Sequence, residues 1–170
     1  GFLGRRIQHE PRARSDADFV FVAAFPEDAR QIRPQLRFHR AAGLPVLATS
    51  HVYSGTPNPG ADGDLDGVRF ADMPWVLTPG EADPETQDRI AGLWPERHQR
   101  FRRLFALGVD AYRLVPHLGR MAARPATRVD GVTGRLGLDA DYRVHRELTW
   151  ARFQDGLPRP LTEAGGDRDR

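Results

Sequence analysis

The chain has 170 residues, with 25 basic and 23 acidic side chains and a formal net charge of +2. This length suits one domain with a substantial core, and the interleaving of arginines with acidic residues argues against a nucleic-acid-binding protein. There is no cysteine, so neither a disulfide nor a thiolate metal site is possible. No stretch approaches the roughly 18 consecutive apolar residues that a membrane-spanning helix needs.

The first part of the chain predicts a strand, a helix and a second strand. Residues 18–24 form a continuous apolar run, which is typical of a strand buried on both faces of a parallel sheet. Pro26 and the acidic residues after it favour a helix start, and residues 45–48 form the next short strand. A strand, a helix and a strand within about 30 residues indicate two parallel strands joined by a right-handed crossover.

A long loop, a short strand and two helices are predicted next. Residues 49–67 are rich in Gly, Pro, Asn and Asp, and the short strand covers residues 68–70. The second helix has the clearest periodicity in the chain, with residues at steps of three and four that share one face. That face consists of Phe101, Leu104, Phe105, Gly108, Ala111, Tyr112, Val115 and Leu118.

The last part of the chain is predicted to be β-structure. Residues 130–134 suggest a turn into a strand, residues 139–141 suggest another turn, and residues 142–153 alternate as in a half-buried strand. We expect Leu148 and Trp150 to share the buried face of this final strand, because side chains two positions apart lie on the same side of a sheet.

Two loop motifs have both a functional and a structural interpretation. Residues 62–67, D-G-D-L-D-G, match the opening of a calcium-binding loop, but its twelfth position is Met73 rather than a bidentate carboxylate. Gly131, Gly134 and Gly137 depart from the dinucleotide-binding spacing and precede strands instead of a helix. We favour turn-forming roles for both motifs and predict no metal site and no cofactor.

No catalytic residue is predicted. The six histidines lack the spacing of metal-ligand pairs, and there is no G-x-S-x-G nucleophile motif. Ser50 follows a strand, where active-site groups of α/β sheets collect, but the adjacent His51 is poorly placed to activate it. A hydrolase is the weaker alternative.

The best candidate for a binding element consists of Thr49, Ser50, His51 and Tyr53, directly after the second predicted strand. Ligands of open α/β sheets bind at the carboxyl ends of strands, where loop hydroxyl and amide groups converge. A turn stabilised by the Thr and Ser side chains is the alternative. The helical arginines are predicted to lie largely in solvent, available to a protein partner. They are Arg30, Arg33, Arg37, Arg40, Arg97, Arg100, Arg102 and Arg103.

Several stretches together resemble one bacterial family. They are F-V-F-V-A-A at 19–24, Q-I-R-P-Q-L-R-F at 31–38, L-P-V-L-A-T-S at 44–50, D-M-P-W at 72–75, A-L-G-V-D-A-Y at 106–112, G-V-T-G at 131–134 and L-T-W-A-R-F at 148–153. Over residues 14–160 the chain resembles the penicillin-binding protein activators of the LpoA (LppC) lipoprotein type. The G-V-T-G and A-L-G-V-D-A-Y pieces belong to the wider fold and are the less specific ones.

The resemblance implies an α/β fold that is part of a type I periplasmic-binding-protein-like domain, with a βαβ lobe, a long helix and a C-terminal β-hairpin. It implies a lead-in over residues 1–13 and a partial domain over residues 14–158, made of the second lobe and pieces returning to the first. Residues 159–170 are then a disordered polar tail. The long helix is expected to pack in the remainder of the first lobe, outside this chain.

The resemblance also implies a function. Such proteins are non-catalytic regulators that stimulate a class A penicillin-binding protein, a peptidoglycan synthase, from the periplasmic side of the outer membrane. We expect this chain to be part of a longer lipoprotein, attached to the membrane only through a lipid anchor outside the chain, because residues 1–10 show no signal-peptide pattern. The alternative is a periplasmic receptor of the same fold for a small, amino-acid-like molecule.

Overall fold

The computed structural model describes residues 16–39 and 41–161. The first elements are β1 at Val20–Val22, α1 at Pro26–Phe38 and β2 at Val46–Ala48. The two strands pair in parallel, with Val20 opposite Val46, and Ala29 of α1 is buried in the same cluster as both strands. This arrangement confirms the predicted βαβ unit.

Three more strands complete the main sheet. They are β3 at Arg69–Asp72, β7 at Thr149–Gln154 and β8 at Leu157–Pro160. The strand order is β1-β2-β3-β7-β8, in which β1, β2 and β3 are parallel and the last two strands are antiparallel to their neighbours. The returning β7–β8 hairpin therefore extends a parallel sheet, which gives the α/β fold that the sequence predicts.

Strand β8 corrects one predicted boundary. The sequence placed a disordered tail from residue 159 onwards, but Arg159 and Pro160 pair with Arg152 and Ala151 of β7. A proline is tolerated at this position because β8 is an edge strand, where one side of the backbone needs no partner. The rest of the predicted tail, at 162–170, and the predicted lead-in lie outside the described residues.

A smaller sheet follows the helices of the middle region. The helices are α2 at Pro59–Asp62, α3 at Pro74–Leu77, α4 at Pro84–Leu93, α5 at Arg102–Leu114 and α6 at Leu118–Ala123. The small sheet is antiparallel in the order β4-β5-β6, with β4 at Val129–Gly131, β5 at Gly134–Leu138 and β6 at Val144–Glu147. Among the described ranges, the helices are all too short or too polar to cross a bilayer.

Two hydrophobic clusters form the core, and α5 contributes to both. In the larger cluster the rings of Phe70 and Phe153 stack with their centroids 5.1 Å apart. Ala106, in the first half of α5, is buried in this cluster. Leu114, at the end of α5, packs with Met121 and with residues of β5 in the smaller cluster. Helix α5 therefore joins the main sheet to the small sheet.

The predicted buried face of the final strand is wrong. Leu148 and Trp150 are 40% and 50% exposed, whereas Ala151 and Phe153 are buried. The chain leaves the small sheet after β6, passes Leu148 and enters the main sheet as β7, so residues 142–153 do not form one strand. Because Ala151 lies opposite Phe70, pairing with β3 decides which side of β7 faces the core.

The apolar face of α5 that the periodicity predicts is largely exposed within the described part of the chain. Leu104 and Tyr112 are 63% and 83% exposed, while Ala106, Asp110 and Leu114 face the core. Periodicity places the helix correctly, but it does not show that the buried side includes a carboxylate. The apolar stripe of α5 is left uncovered by the described part of the chain.

Candidate functional site

The predicted binding element lies at the carboxyl end of β2, as expected. Residues Ser50–Val52 form one short 3-10 turn, in which the Val52 amide donates to the Thr49 carbonyl at 3.1 Å. The Thr49 amide donates to the Val22 carbonyl at 3.2 Å, so the loop continues the hydrogen bonding of the sheet. The structure leaves Thr49 and Ser50 half-buried and exposes His51.

Tyr53 does not line a cleft, although the sequence assigned it there. Its side chain is buried, with ring centroids 6.1 Å from Phe70 and 6.0 Å from Phe153. Burial raises the pKa of Tyr53 to about 12. An aromatic ring gains more from this packing than from exposure at the edge of a cleft, which is why Tyr53 belongs to the core.

An exposed aromatic residue joins the element instead. Phe25 follows β1 and meets His51 edge to face, with ring centroids 5.5 Å apart. Sequence analysis missed Phe25, although its position after the carboxyl end of a parallel strand was a usable signal. We call Phe25, Thr49, Ser50 and His51 the cleft edge.

The backbone of this loop is held from the opposite side by Arg103 of α5. The Arg103 guanidinium donates to the Ser50 carbonyl at 3.2 Å and to the Tyr53 carbonyl at 2.9 Å. It also binds both carboxylate oxygens of Asp72, which is 1% exposed at the end of β3. We call this group the Arg103 centre. It removes two loop carbonyls and a buried carboxylate from the set of groups that could meet a ligand.

Several helical arginines are therefore not the solvent-facing residues that the sequence predicts. Arg103 is half-buried, and its neighbour Arg102 donates to the Gly55 carbonyl. Partial burial lowers the pKa of Arg102 from its usual value. Arg37, Arg97 and Arg100 are exposed as expected, and Arg40 lies outside the described residues. Helical position alone did not reveal that carbonyls from a distant loop would meet α5.

The loop at residues 62–67, which resembles the opening of a calcium-binding loop, is hydrogen-bonded to α1. The buried Asp62 carboxylate accepts from Arg30 at 2.7 and 3.0 Å, and the Asp66 carbonyl accepts from Arg33 at 3.3 Å. The Asp66 side chain accepts from the Gly156 amide at 2.9 Å. In the described residues, no group of three or more possible ligands is placed to hold a metal ion.

The G-V-T-G motif anchors the other end of α5. Asp110 is buried, and its carboxylate accepts from the Val132 and Thr133 amides at 2.8 Å each and from the Thr133 hydroxyl at 2.6 Å. A Cβ at Gly131 would lie 2.5 Å from a carboxylate oxygen of Asp110, so only glycine fits. Gly134 has φ +129°, and the motif turns between β4 and β5, as predicted for a hairpin.

The described part of the chain includes two open grooves, one between the sheets and one beside α5. One, of about 360 Å³, separates the two sheets and is lined by Pro74, Gly134, Glu147 and Trp150, among others. The other, of about 450 Å³, runs between α4 and α5 and is almost entirely apolar, with Trp94, Leu104 and Tyr112 in its walls. The described chain places no convergent set of buried polar groups in either groove that would fix a small ligand.

The fold defines the class of protein. Its architecture is similar to the C-domain of Haemophilus influenzae LpoA (YraM), "a regulator of PBP1A", with a TM-score of 0.72 and 25% identity over 88% of this chain and 46% of that one. It is also similar to a "putative branched-chain amino acid ABC transporter" from Chromobacterium violaceum, with a TM-score of 0.55 and 33% identity over 81% of this chain and 42% of that one. The chain thus has the periplasmic-binding-protein-like fold.

Within this class, the chain belongs to the family described as "LppC putative lipoprotein", whose model matches residues 1–156. Similar curated proteins are the penicillin-binding protein activators LpoA of Vibrio cholerae, 34% identical over 88% of this chain, and of Photobacterium profundum, 31% identical over 91% of it. The chain spans about a quarter of the length of these relatives, 24% and 25% respectively.

Proposed function

We propose that this chain is part of the C-terminal domain of an outer-membrane lipoprotein that stimulates a class A penicillin-binding protein. In this proposal the chain has a regulatory rather than a catalytic role, and it faces the periplasm. The proposal is supported by membership of the LppC family and by the names of the relatives, which are activators.

The observation that carries the proposal is the Arg103 centre. In a receptor of this fold, polar groups at the carboxyl ends of the strands are free to meet a ligand. Here the carbonyls of Ser50 and Tyr53 and the carboxylate of Asp72 are already bound by an arginine of the same chain. The cleft edge therefore retains few groups that could fix a small molecule, which favours a protein that acts through its outer surface.

The second candidate is a receptor for an amino-acid-like ligand. It is favoured by the likeness to the transporter component from Chromobacterium violaceum, which is 33% identical. Such a ligand carries a carboxylate and normally meets a fixed positive charge. At the cleft edge only His51 could supply one, and its side chain is exposed to solvent rather than fixed in a pocket.

We further propose that the remainder of the same domain covers the exposed apolar surfaces. These surfaces are the stripe of α5 and the outer face of the main sheet, where Phe21 and Trp150 are exposed. The similar C-domain from Haemophilus influenzae is about twice as long as the matched part, since the match covers 46% of it. The isolated chain should bind a hydrophobic dye that the complete domain does not bind. Equal dye binding by both would contradict this proposal.

The direct test of the regulatory function is a peptidoglycan synthesis assay. The complete protein is added to a purified class A penicillin-binding protein with its lipid-linked precursor, and glycan polymerisation and cross-linking are followed. We expect the rate of polymerisation, the rate of cross-linking, or both to rise to a plateau as the protein is added. A synthase of another class serves as the control and should be unaffected. A protein that binds no class A synthase and changes neither rate would overturn the proposal.

A further inference from the structure

We propose that Asp72 and the carbonyls of Ser50 and Tyr53 form an internal guanidinium-binding site, and that its bound Arg103 sets the spacing of the two sheets without a ligand. The inference goes beyond the proposed function, because it depends only on contacts within this chain.

The site has the geometry of a guanidinium receptor. Four oxygen atoms converge on one planar group: the two carbonyls on one side and the two carboxylate oxygens of Asp72 on the other. Arg103 Nη2 donates hydrogen bonds to both carbonyls and to one carboxylate oxygen of Asp72. Arg103 Nε also donates to the Asp72 carboxylate. A lysine ammonium is a point charge and cannot reproduce this planar fork, so the arrangement is specific for arginine.

The carboxylate is committed to this site. Asp72 is buried at the end of β3, and apart from Arg103 its carboxylate accepts from the adjacent Met73 amide at 2.8 Å. A buried carboxylate that loses its cation is strongly destabilised, because neither water nor another charge replaces the lost interaction. The empty site would therefore have a strong preference for a cation of the same shape.

The position of the site makes it a spacer between the sheets. Asp72 belongs to the main sheet, whereas Asp110 binds the turn between β4 and β5 of the small sheet. Arg103 and Asp110 are seven residues apart on α5, which corresponds to about 10 Å along the helix axis. The helix is thus attached at one end to each sheet, and a groove of about 360 Å³, lined by residues of both sheets, lies between them.

Chemical rescue tests the site. In the complete protein, Arg103→Ala should lower the melting temperature by roughly 10 °C, because the buried Asp72 carboxylate loses its cation. Millimolar methylguanidinium should restore at least half of this loss, while urea at the same concentration restores nothing. The matched control is Arg113→Ala, on the same helix, because the Arg113–Asp83 pair is far more exposed. Methylguanidinium should raise the melting temperature of neither this control nor the unaltered protein.

A second measurement tests the spacing. The chain has no cysteine, so spin labels can be attached at Gln35→Cys on α1 and Arg146→Cys on β6, which are both exposed. The distance distribution between them should be narrow in the unaltered protein, broader in Arg103→Ala and narrow again with methylguanidinium. If Arg103→Ala does not fold, Arg103→Gln is used in its place. Absence of rescue in a folded variant, equal rescue of the control, or an unchanged distance distribution would overturn the inference.

Discussion

The two ends of α5 are held by buried carboxylates that have different kinds of partner. Near its start, a guanidinium charge on the helix meets Asp72 on the main sheet. Near its end, Asp110 on the helix meets two backbone amides and a hydroxyl of the small sheet, all of them uncharged. The contact between Arg103 and Asp72 joins two side chains, so a substitution on either partner removes it. In the contact of Asp110, two of the three donors are backbone amides, which no substitution of a side chain removes. The comparison teaches that only the first end can serve as an exchangeable site.

The largest expected effect is at the second end. Asp110→Ala leaves the Val132 and Thr133 amides and the Thr133 hydroxyl without their acceptor inside the protein. We expect a loss of roughly 3–5 kcal/mol in the free energy of unfolding, measured by chemical denaturation of the complete protein. Unlike Arg103→Ala, this variant should gain nothing from methylguanidinium. A rescue there would remove the distinction between the two ends.

A comparison within β7 tests the corrected strand face. Phe153→Ala should cost about 3–5 kcal/mol, because a fully buried ring in the main cluster is lost. Trp150→Ala should cost less, since Trp150 lies half exposed on the opposite face. Both are measured by denaturation under the same conditions. A larger loss for Trp150→Ala would restore the face that the sequence predicted.

Substitutions at two glycines test how closely the backbone packs against Asp110. Gly131→Ala brings a Cβ against the Asp110 carboxylate and should cost about 1–3 kcal/mol by overpacking. Gly92→Ala is the matched control, because Gly92 lies in α4 with open space around it. The control should be neutral or should stabilise by roughly 0.4–1 kcal/mol. Equal thermal shifts for both variants would show that the close approach at Gly131 is unimportant.

The smallest expected effect is at a half-buried helix cap. Asp83 caps α4 by accepting from the Thr86 amide at 3.2 Å, and it pairs with Arg113. Burial raises the pKa of Asp83, but the hydrogen bonds from Thr86 and Arg113 outweigh it, so the pKa is lowered overall. The stabilisation is therefore complete above the unfolded-state pKa of about 3.9 and is lost as the pH falls through the lower folded-state pKa.

Asp83→Asn separates this cap from other acid-sensitive groups. The variant should lose about 1 kcal/mol or less at pH 7, because asparagine is still a good capping residue. Its loss relative to the unaltered protein should shrink as the pH falls below the unfolded-state pKa of about 3.9, and it should vanish once Asp83 is protonated in the folded state. Denaturation curves at several pH values measure this, and a difference that stays constant down to the lowest pH would contradict the assignment.

The parts of the fold that the sequence predicts are those with local signals. The apolar runs of β1 and β2 and the turn at Gly131–Gly134 lie within a few residues of the features that mark them. The face of β7 is different, because it depends on pairing with β3, about 80 residues earlier in the chain. Alternation identified the strand, but large side chains such as Trp150 suggested the wrong phase.

The sequence predicted where the candidate site lies, but not which groups form it. Thr49, Ser50 and His51 lie at the carboxyl end of β2, as the general rule for parallel sheets requires. Arg103 was assigned to solvent because helical periodicity contains no information about partners 31 and 53 residues away, such as Asp72 and Ser50. Tyr53 was assigned to the cleft because it follows the second strand, whereas its ring packs against Phe70 and Phe153.

The central claim is that the Arg103 centre occupies the polar groups behind the cleft edge from within the chain, and that the cleft edge takes no small ligand. Titration calorimetry of the complete protein against amino acids, sugars and muropeptides tests it most directly. The account predicts no binding with useful affinity for any of them, in both the unaltered protein and a Thr49→Ala/Ser50→Ala variant. A ligand that binds at low micromolar concentration and is lost in that variant would contradict the account and establish a receptor.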